Sequence, residues 1–154
     1  MSWLTGEDLQ DLIYKYANES TKEAFIGVFA IDMLPRRIMH YPCFMIVNTH
    51  TLNLPGQHWK AIFISENRRG EVFDSLALPI STFLLKWLNT FTKSWSQNKL
   101  TIQNPMSATC GAYVLYYILC RMKKGNMNQC LKPFTTNLHL NDQLMLQFIH
   151  DLKK

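Results

Sequence analysis

Long apolar runs, paired cysteines and low-complexity tracts are all missing from this sequence of 154 residues. The longest apolar runs, Ala24 to Ile31 and Tyr113 to Cys120, are far shorter than the roughly 20 residues that a membrane helix needs. We expect no signal peptide, because no basic segment precedes an apolar one at the N-terminus. The short apolar runs predict no membrane partner. The four cysteines form no C-x-x-C pair, which predicts free thiols and a reducing, intracellular location.

The apolar content is sufficient for one compact domain. Hydrophobic residues make up 47% of the chain and charged residues 18%, and folding at this length buries roughly two thirds of the unfolded surface. No repeat or linker interrupts the pattern. We therefore expect residues 1–154 to form a single, monomeric domain.

Apolar periodicity predicts helices on both sides of a strand-rich middle, an α+β arrangement with a central mixed or antiparallel sheet flanked by helices. The polar stretch from Glu66 to Gly70 predicts a tight turn, and so an antiparallel hairpin between the strands beside it. The predicted helices are Thr5 to Asn18, Ile80 to Trp95, Cys110 to Met122 and Asn141 to Leu152, and the predicted strands are Ala24 to Ile31, Phe44 to Val47, Trp59 to Ile64, Glu71 to Phe73 and Leu100 to Ile102.

Cys110 is the cysteine that is placed for nucleophilic chemistry. It opens a predicted buried helix, and the free amides and peptide dipoles at a helix N-terminus favour the reactive thiolate. Ser107 or Thr109 is the expected helix cap. Gly111 allows the backbone beside the thiol to approach a substrate closely. The other three cysteines are interpreted as ordinary packing or surface thiols.

His58 and Asp74 are the candidates for activating this thiol. An imidazole can take the thiol proton and return it to the leaving amine, and a carboxylate can orient the ring and stabilise the imidazolium. His58 precedes one strand of the predicted hairpin and Asp74 follows the other, so we expect both at the same end of the sheet. Asp32 and Glu71 remain alternative orienting carboxylates.

Gln103 is the candidate donor to an oxyanion. Acyl transfer develops negative charge on the carbonyl oxygen, which fixed donors in a site with little water can stabilise. The side-chain amide of Gln103, seven residues before Cys110, and the Cys110 backbone amide could supply these donors. Pro105 stiffens the loop between them.

The combined motifs resemble a known group of enzymes. In chain order, the segments Gly56-Gln57-His58-Trp59, Phe73-Asp74-Ser75 and Gln103-Asn104-Pro105-Met106-Ser107-Ala108-Thr109-Cys110-Gly111 are similar to those of the adenain-like cysteine proteases. This is the adenovirus maturation protease family, which is related to the ubiquitin-like-protein-specific proteases. The likeness extends over about the whole chain.

The resemblance implies a role for each matching residue. Cys110 would be the nucleophile, His58 the general base and acid, Asp74 the orienting acid and Gln103 an oxyanion donor. Trp59 would shape the substrate cleft beside the histidine. The nucleophile would then stand at the N-terminus of a buried helix in the adenain-like fold.

Two positions differ from the adenovirus enzymes. Those enzymes usually carry glutamate where Asp74 stands, and aspartate is closer to the deconjugating proteases. They are also activated by DNA and by a viral peptide that an upstream cysteine can tether, whereas no cysteine lies between Cys43 and Cys110 here. The resemblance therefore implies no cofactor for the chemistry, but activation by DNA and by a viral peptide that binds without that disulfide or through another thiol such as Cys43.

Basic residues exceed acidic ones by 16 to 11, which leaves a net charge of +5. Such an excess is often only a solvated surface. Its functional interpretation is non-specific, salt-sensitive binding to DNA. The basic groups are Arg36 with Arg37, Arg68 with Arg69, Arg121 with Lys123 and Lys124, and Lys153 with Lys154.

The leading hypothesis is a cysteine endopeptidase that cleaves viral or virus-like precursor or capsid proteins at Gly-containing sites, in the host nucleus and the virion. An isopeptidase that removes a ubiquitin-like modifier, or an acetyltransferase of the same fold, is the alternative. From another class comes a non-catalytic, basic, DNA-associated virion protein. The combination of Cys110, His58, Asp74 and Gln103 argues against that last reading, because packing does not require all four.

Overall fold

The computed structural model of the protein describes residues 3–49 and 58–154, so Gly56 and Gln57 of the His58 motif lie outside the described residues. No helix in these two ranges is long and apolar enough to cross a membrane. In chain order the elements are α1 (Gly6–Tyr16), α2 (Glu19–Ala24), β1 (Phe25–Ala30), β2 (Cys43–Asn48), β3 (Trp59–Ile64), β4 (Arg69–Phe73), α3 (Thr82–Phe91), β5 (Ser94–Gln97), α4 (Cys110–Lys124), α5 (Met127–Leu131) and α6 (Leu138–Leu152).

A mixed sheet of five strands is the centre of the fold, in the order β1-β2-β3-β4-β5. β1 is parallel to β2 and β5 is parallel to β4, whereas β2, β3 and β4 are antiparallel neighbours. β3 and β4 form the predicted hairpin, with Ala61 opposite Phe73. The predicted α+β class, with a mixed central sheet flanked by helices, is confirmed.

Alternate residues of the strands face two separate apolar layers, as the pleat of a sheet requires. Ala61 and Phe73 face the layer that α1, α4 and α6 contribute to. Ile62 and Val72 face the layer that includes Trp87 of α3. Because α4 packs against β3, the helix that begins with Cys110 lies directly over the strand that follows His58.

The helices α1 and α4 begin where the sequence predicts. Thr5 caps α1, since its Oγ1 accepts from the Asp8 amide at 3.1 Å while the Asp8 carboxylate accepts from the Thr5 amide at 2.9 Å. This reciprocal pair satisfies two free amides of the first turn. α4 begins at Cys110 and ends before Gly125, whose φ of 84° is the left-handed conformation that glycine adopts easily.

The turn of the β3–β4 hairpin differs from the prediction. Its left-handed residue is Arg68, with a φ of 64°, and the Ser65 backbone bonds to Arg68 and Arg69 to close the turn. Gly70 lies inside β4, where an added Cβ would stand 2.9 Å from Thr92 Cγ2. The glycine therefore permits the close approach of the segment before β5 and does not make the turn.

The region after β4 departs most from the predicted elements. The helix expected from Ile80 to Trp95 is shorter, and Trp95 lies in β5, where it pairs with Gly70. The strand expected from Leu100 to Ile102 is absent, because the Ile102 amide donates to the Ser75 carbonyl instead of entering a ladder. The short helices α2 and α5 were not predicted either, since helices of this length depend on tertiary packing more than on local pattern.

Candidate active site

His58 and Asp74 meet at one end of the β3–β4 hairpin. His58 immediately precedes β3 and Asp74 immediately follows β4. The two side chains bond through His58 Nε2 and Asp74 Oδ1 at 2.5 Å. With Nε2 engaged by the carboxylate, Nδ1 is the ring nitrogen that remains for a thiol proton.

Asp74 is fully buried and is held on every side. Its Oδ1 accepts from the Leu76 amide at 2.9 Å and its Oδ2 from the Leu78 amide at 3.0 Å. The Asn98 side chain accepts from the Asp74 amide at 2.8 Å and donates to the Asp74 carbonyl at 2.7 Å. Lys60 Nζ lies 3.2 Å from Oδ2. The carboxylate that orients His58 is therefore fixed in place before any substrate binds.

The electrostatics of the pair favour its charged form. Burial by itself would lower the pKa of His58, but hydrogen bonds and negative charge from Asp74 and Cys110 outweigh burial and raise this pKa to about 9. Burial would raise the pKa of Asp74, but the hydrogen bond and charge of His58, together with the charge of Lys60, hold it below its ordinary value. An imidazolium beside an aspartate is thus favoured at neutral pH.

Cys110 is the first residue of α4 and its side chain interacts with His58. The residue is 2% exposed and His58 is 7% exposed. The structure therefore brings together the three side chains that the sequence assigns to one site, with the thiol where the amides of a helix N-terminus favour a thiolate.

The start of α4 is held differently from the prediction. Thr109 occupies the cap position, but its hydroxyl does not cap the helix amides. Thr109 Oγ1 instead donates to Asp142 Oδ1 at 3.1 Å, and Tyr113 donates to the same oxygen at 2.8 Å. A buried carboxylate of α6 therefore ties down the turn that carries Cys110.

Gln103 lies on the approach to Cys110 and is buried. Ser75 Oγ donates to Gln103 Oε1 at 2.5 Å, which orients the amide. Gln103 Nε2 donates to the Ser107 carbonyl at 3.2 Å and lies 3.4 Å from Ser107 Oγ. An oxyanion that receives a bond from Nε2 must therefore share this nitrogen with Ser107 or replace one of its contacts.

Trp59 and Gly111, the two expected cleft residues, are buried. Trp59 belongs to the apolar core, and its Nε1 donates to the Leu4 carbonyl at 3.1 Å. This bond ties the segment before α1 to the start of β3, and the contribution of Trp59 to the cleft stays a prediction. Gly111 lies in the first turn of α4. The neighbouring Trp3 amide bonds to the Ala108 carbonyl at 3.4 Å, so the N-terminal segment also lies beside the cysteine loop.

Glu71, one of the alternative orienting carboxylates, belongs to another cluster. It accepts from Arg121 Nε at 2.7 Å and Nη2 at 2.6 Å, and from the Tyr117 hydroxyl at 2.7 Å. Arg121 is buried, so it does not contribute to a basic surface as the sequence predicted. Asp32, the other alternative, is exposed, and His58 Nε2 bonds to Asp74 instead.

Four positioning residues escaped the sequence analysis. Ser75, Asn98 and Asp142 leave no local signal, because each acts on a partner distant in the chain. Lys60 does leave a local signal, because it is a single charge between Trp59 and four apolar residues in a buried strand. The structure gives this charge a partner in Asp74.

A cavity lined by other parts of the chain lies away from these residues. It has a volume of about 1080 Å³ and is lined by β5 and by residues around α5, with His58, Asp74 and Cys110 not among its lining residues. Within residues 3–49 and 58–154, no group of three or more His, Cys, Asp or Glu side chains could hold a metal ion.

The fold is that of the adenain-like and ubiquitin-like-protein-specific cysteine proteases. The ASFV pS273R protease superposes with a TM-score of 0.62 at 17% identity, over 94% of this chain and 66% of that chain. ChlaDub1 from Chlamydia trachomatis superposes with a TM-score of 0.55 at 17% identity, over 73% of this chain and 58% of that one. This chain thus spans less than two thirds of both proteins.

A third solved structure matches over nearly the full length of both chains. The central domain of Lpg1148 from Legionella pneumophila has a TM-score of 0.57 at 12% identity, and the match covers 99% of this chain and 97% of that domain. No protein-family model matches the sequence, and no curated protein does. Identities of 12–17% show a shared fold.

Proposed function

We propose that the protein is a cysteine endopeptidase that uses Cys110, His58 and Asp74. The observation that carries the proposal is His58, which bonds Asp74 through Nε2 while interacting with the Cys110 side chain at the start of α4. Packing alone does not require a buried carboxylate, imidazole and thiol in series. Their order of contact is the one that thiol activation needs.

The proposed reaction begins from a thiolate and an imidazolium. Cys110 Sγ attacks the carbonyl carbon of the scissile bond, and the oxygen becomes an oxyanion that the Cys110 amide and Gln103 Nε2 stabilise. The carbon–nitrogen bond then breaks, and the His58 proton passes to the leaving amine. Water attacks the thioester while His58 accepts a proton from that water, and the carbon–sulfur bond then breaks, which releases the carboxylic acid product and restores the Cys110 thiolate beside the His58 imidazolium.

A preference for glycine beside the scissile bond is part of the proposal. Cys110 is only 2% exposed, so a carbonyl reaches Sγ along a narrow approach. A substrate residue without a Cβ meets the least steric resistance there. The burial of Cys110 supports only the preference for glycine; that the substrates are precursor or capsid proteins of a virus or virus-like element is proposed from the resemblance of the motifs.

A panel of matched peptides tests the reaction and its specificity together. The peptides differ only in the residue before the scissile bond, which is glycine, alanine or leucine, and products are identified by mass spectrometry. We expect cleavage in the order glycine, alanine, leucine, with no cleavage by Cys110→Ala. Equal cleavage by Cys110→Ala would overturn the proposal, and equal rates for the three peptides would overturn its glycine preference.

An isopeptidase acting on a ubiquitin-like modifier is the second candidate, because aspartate at the third position of the site resembles the deconjugating proteases. It predicts rapid release of an amine joined to the C-terminal glycine of a folded modifier, with slow cleavage of free peptides. An acetyltransferase predicts acetyl transfer from acetyl-coenzyme A without proteolysis. The three activities are separated by running the three assays on one preparation.

DNA binding is proposed from the exposed arginines. Arg36, Arg37 and Arg69 are exposed, and Arg68 lies 5.8 Å from the Tyr41 ring. Binding to double-stranded DNA, followed by fluorescence anisotropy, should weaken steeply between about 50 and about 200 mM salt. Replacing Arg36 and Arg37 by serine should weaken it roughly tenfold. Salt-independent binding, or none, would remove this part of the proposal.

Turnover with and without DNA tests activation in the same preparation. No cysteine lies between Cys43 and Cys110 that could tether a viral activating peptide. Such a peptide would bind without that disulfide or through another thiol such as Cys43. DNA binding without any peptide or modifier cleavage would favour the non-catalytic virion protein instead.

A further inference from the structure

Lys60 is the second residue of the buried strand β3 and its only charged one. It is 3% exposed, and its neighbours in β3 are apolar and buried. In the hairpin register Ala61 lies opposite Phe73, so Lys60 lies opposite Asp74 one position further along. The two side chains therefore project from the same face of the sheet.

The Lys60 ammonium and the His58 ring contact different oxygens of the Asp74 carboxylate. Lys60 Nζ lies 3.2 Å from Oδ2, while His58 Nε2 lies 2.5 Å from Oδ1. Lys60 Nζ also donates to the Leu78 carbonyl at 3.4 Å. Asp74 and Leu78, the two residues that the Lys60 ammonium contacts, both follow β4 at the end of the hairpin where His58 lies.

Burying this ammonium has a cost that an apolar residue would avoid. Removing a lysine from water is expensive, and a buried ion pair is often no more stabilising than well-packed apolar residues of the same volume. Every residue of β3 except Lys60 is apolar. A role in stability alone is therefore a weak explanation for Lys60.

The charge balance of the site offers a stronger explanation for Lys60 than stability does. Cationic Lys60 and His58 together with anionic Asp74 and Cys110 sum to zero. Without Lys60 the same state carries one uncompensated negative charge, and each of the other three groups then binds its proton more tightly. The remaining groups around Asp74, which are Asn98 and two backbone amides, are neutral.

We propose that Lys60 is a positioning residue whose fixed charge sets the pH range over which Cys110 is reactive. It acts through Asp74, by compensating the carboxylate and holding Oδ2 so that Oδ1 stays aligned with His58. The inference rests on the proposed function for its biological meaning, but thiol reactivity reports it without any substrate.

The test compares Lys60→Met with two controls. Lys60→Arg keeps the charge at the same place, and Lys86→Met removes a lysine from the exposed face of α3. The rate of Cys110 alkylation by iodoacetamide is followed by mass spectrometry across pH, and the His58 imidazole is titrated by NMR. We expect both profiles of Lys60→Met to move to higher pH by roughly one unit, with Lys60→Arg and Lys86→Met unchanged.

Lys60→Gln guards against a packing effect, because it also removes the charge but keeps a polar side chain. If both neutral variants shift together, the charge is responsible. Unshifted profiles in a folded Lys60→Met or Lys60→Gln protein would overturn the proposal, as would an equal shift in Lys60→Arg. Failure of the wild-type protein to cleave any peptide would instead contradict the proposed function and leave the alkylation result readable.

Discussion

Two carboxylates lie three positions apart, the half-buried Glu71 within β4 and the buried Asp74 just after it, and their partners differ. The Glu71 carboxylate accepts hydrogen bonds from two nitrogens of Arg121 and from the Tyr117 hydroxyl. Asp74 is bonded to His58 and Lys60 and is linked through the imidazole to Cys110. Both are ion clusters on the same hairpin, and both involve α4.

The difference lies in which partners can change protonation near neutral pH. Arginine keeps its proton throughout the physiological range. Burial, with the charge and hydrogen bond of Glu71, raises the pKa of Tyr117 well above its ordinary value, so this cluster holds its protons fixed. His58 and Cys110 can exchange one. The comparison teaches that burial and charge alone do not indicate an active site; the titratable partner does.

The largest expected effect comes from a substitution in the cluster of Asp74, His58 and Cys110. Cys110→Ala removes the nucleophile and should lower peptide turnover by roughly a thousandfold or more, while thermal unfolding stays cooperative because the apolar packing around α4 is kept. Turnover and thermal unfolding are measured on the same sample. Retained turnover would contradict the assignment of the nucleophile.

Breaking the Glu71 cluster should affect stability instead. Glu71→Ala leaves the buried Arg121 guanidinium without its carboxylate partner, and we expect the free energy of unfolding to fall by roughly 3 kcal/mol. The matched control replaces both partners, Glu71→Leu with Arg121→Met, and should recover most of this loss. Urea unfolding measures both. If the double variant is no more stable than the single one, the ion pair is not the source of the effect.

Gln103→Ala tests the proposed oxyanion donor. Loss of one such donor commonly lowers kcat about a hundredfold. Because Gln103 also bonds Ser75 and Ser107, the variant is compared with Gln103→Glu, which keeps the acceptor for Ser75 but removes the donor. A loss in kcat for both variants, with KM little changed, is the expected outcome. A change in KM alone would assign Gln103 to substrate binding.

The smallest effect is on the pH dependence of stability. The pKa of His58 is raised from 6.5 to about 9 in the folded state, so its contribution is complete below pH 6.5 and is lost as pH rises through 9. The stability difference between wild type and His58→Ala should shrink by on the order of 1–2 kcal/mol over that range. Parallel stability curves would contradict the raised pKa.

The sequence predicted the parts of the site that depend on local pattern and chain order. Cys110 opens a helix, and a polar turn joins two strands, so His58 and Asp74 must lie at one end of a hairpin. Partners distant in the chain could not be predicted in the same way. Asp142 holds Thr109 across 33 residues, and Trp95 is in a strand because it pairs with Gly70.

Alkylation of the four cysteines by iodoacetamide at neutral pH tests the central claim most directly. Cys110 should react fastest, and its rate should fall strongly in His58→Ala. Cys43, where burial raises the pKa to about 11, should react slowly in both proteins. A Cys110 rate equal to that of Cys43, or unaffected by the loss of His58, would contradict the claim that His58 activates the thiol.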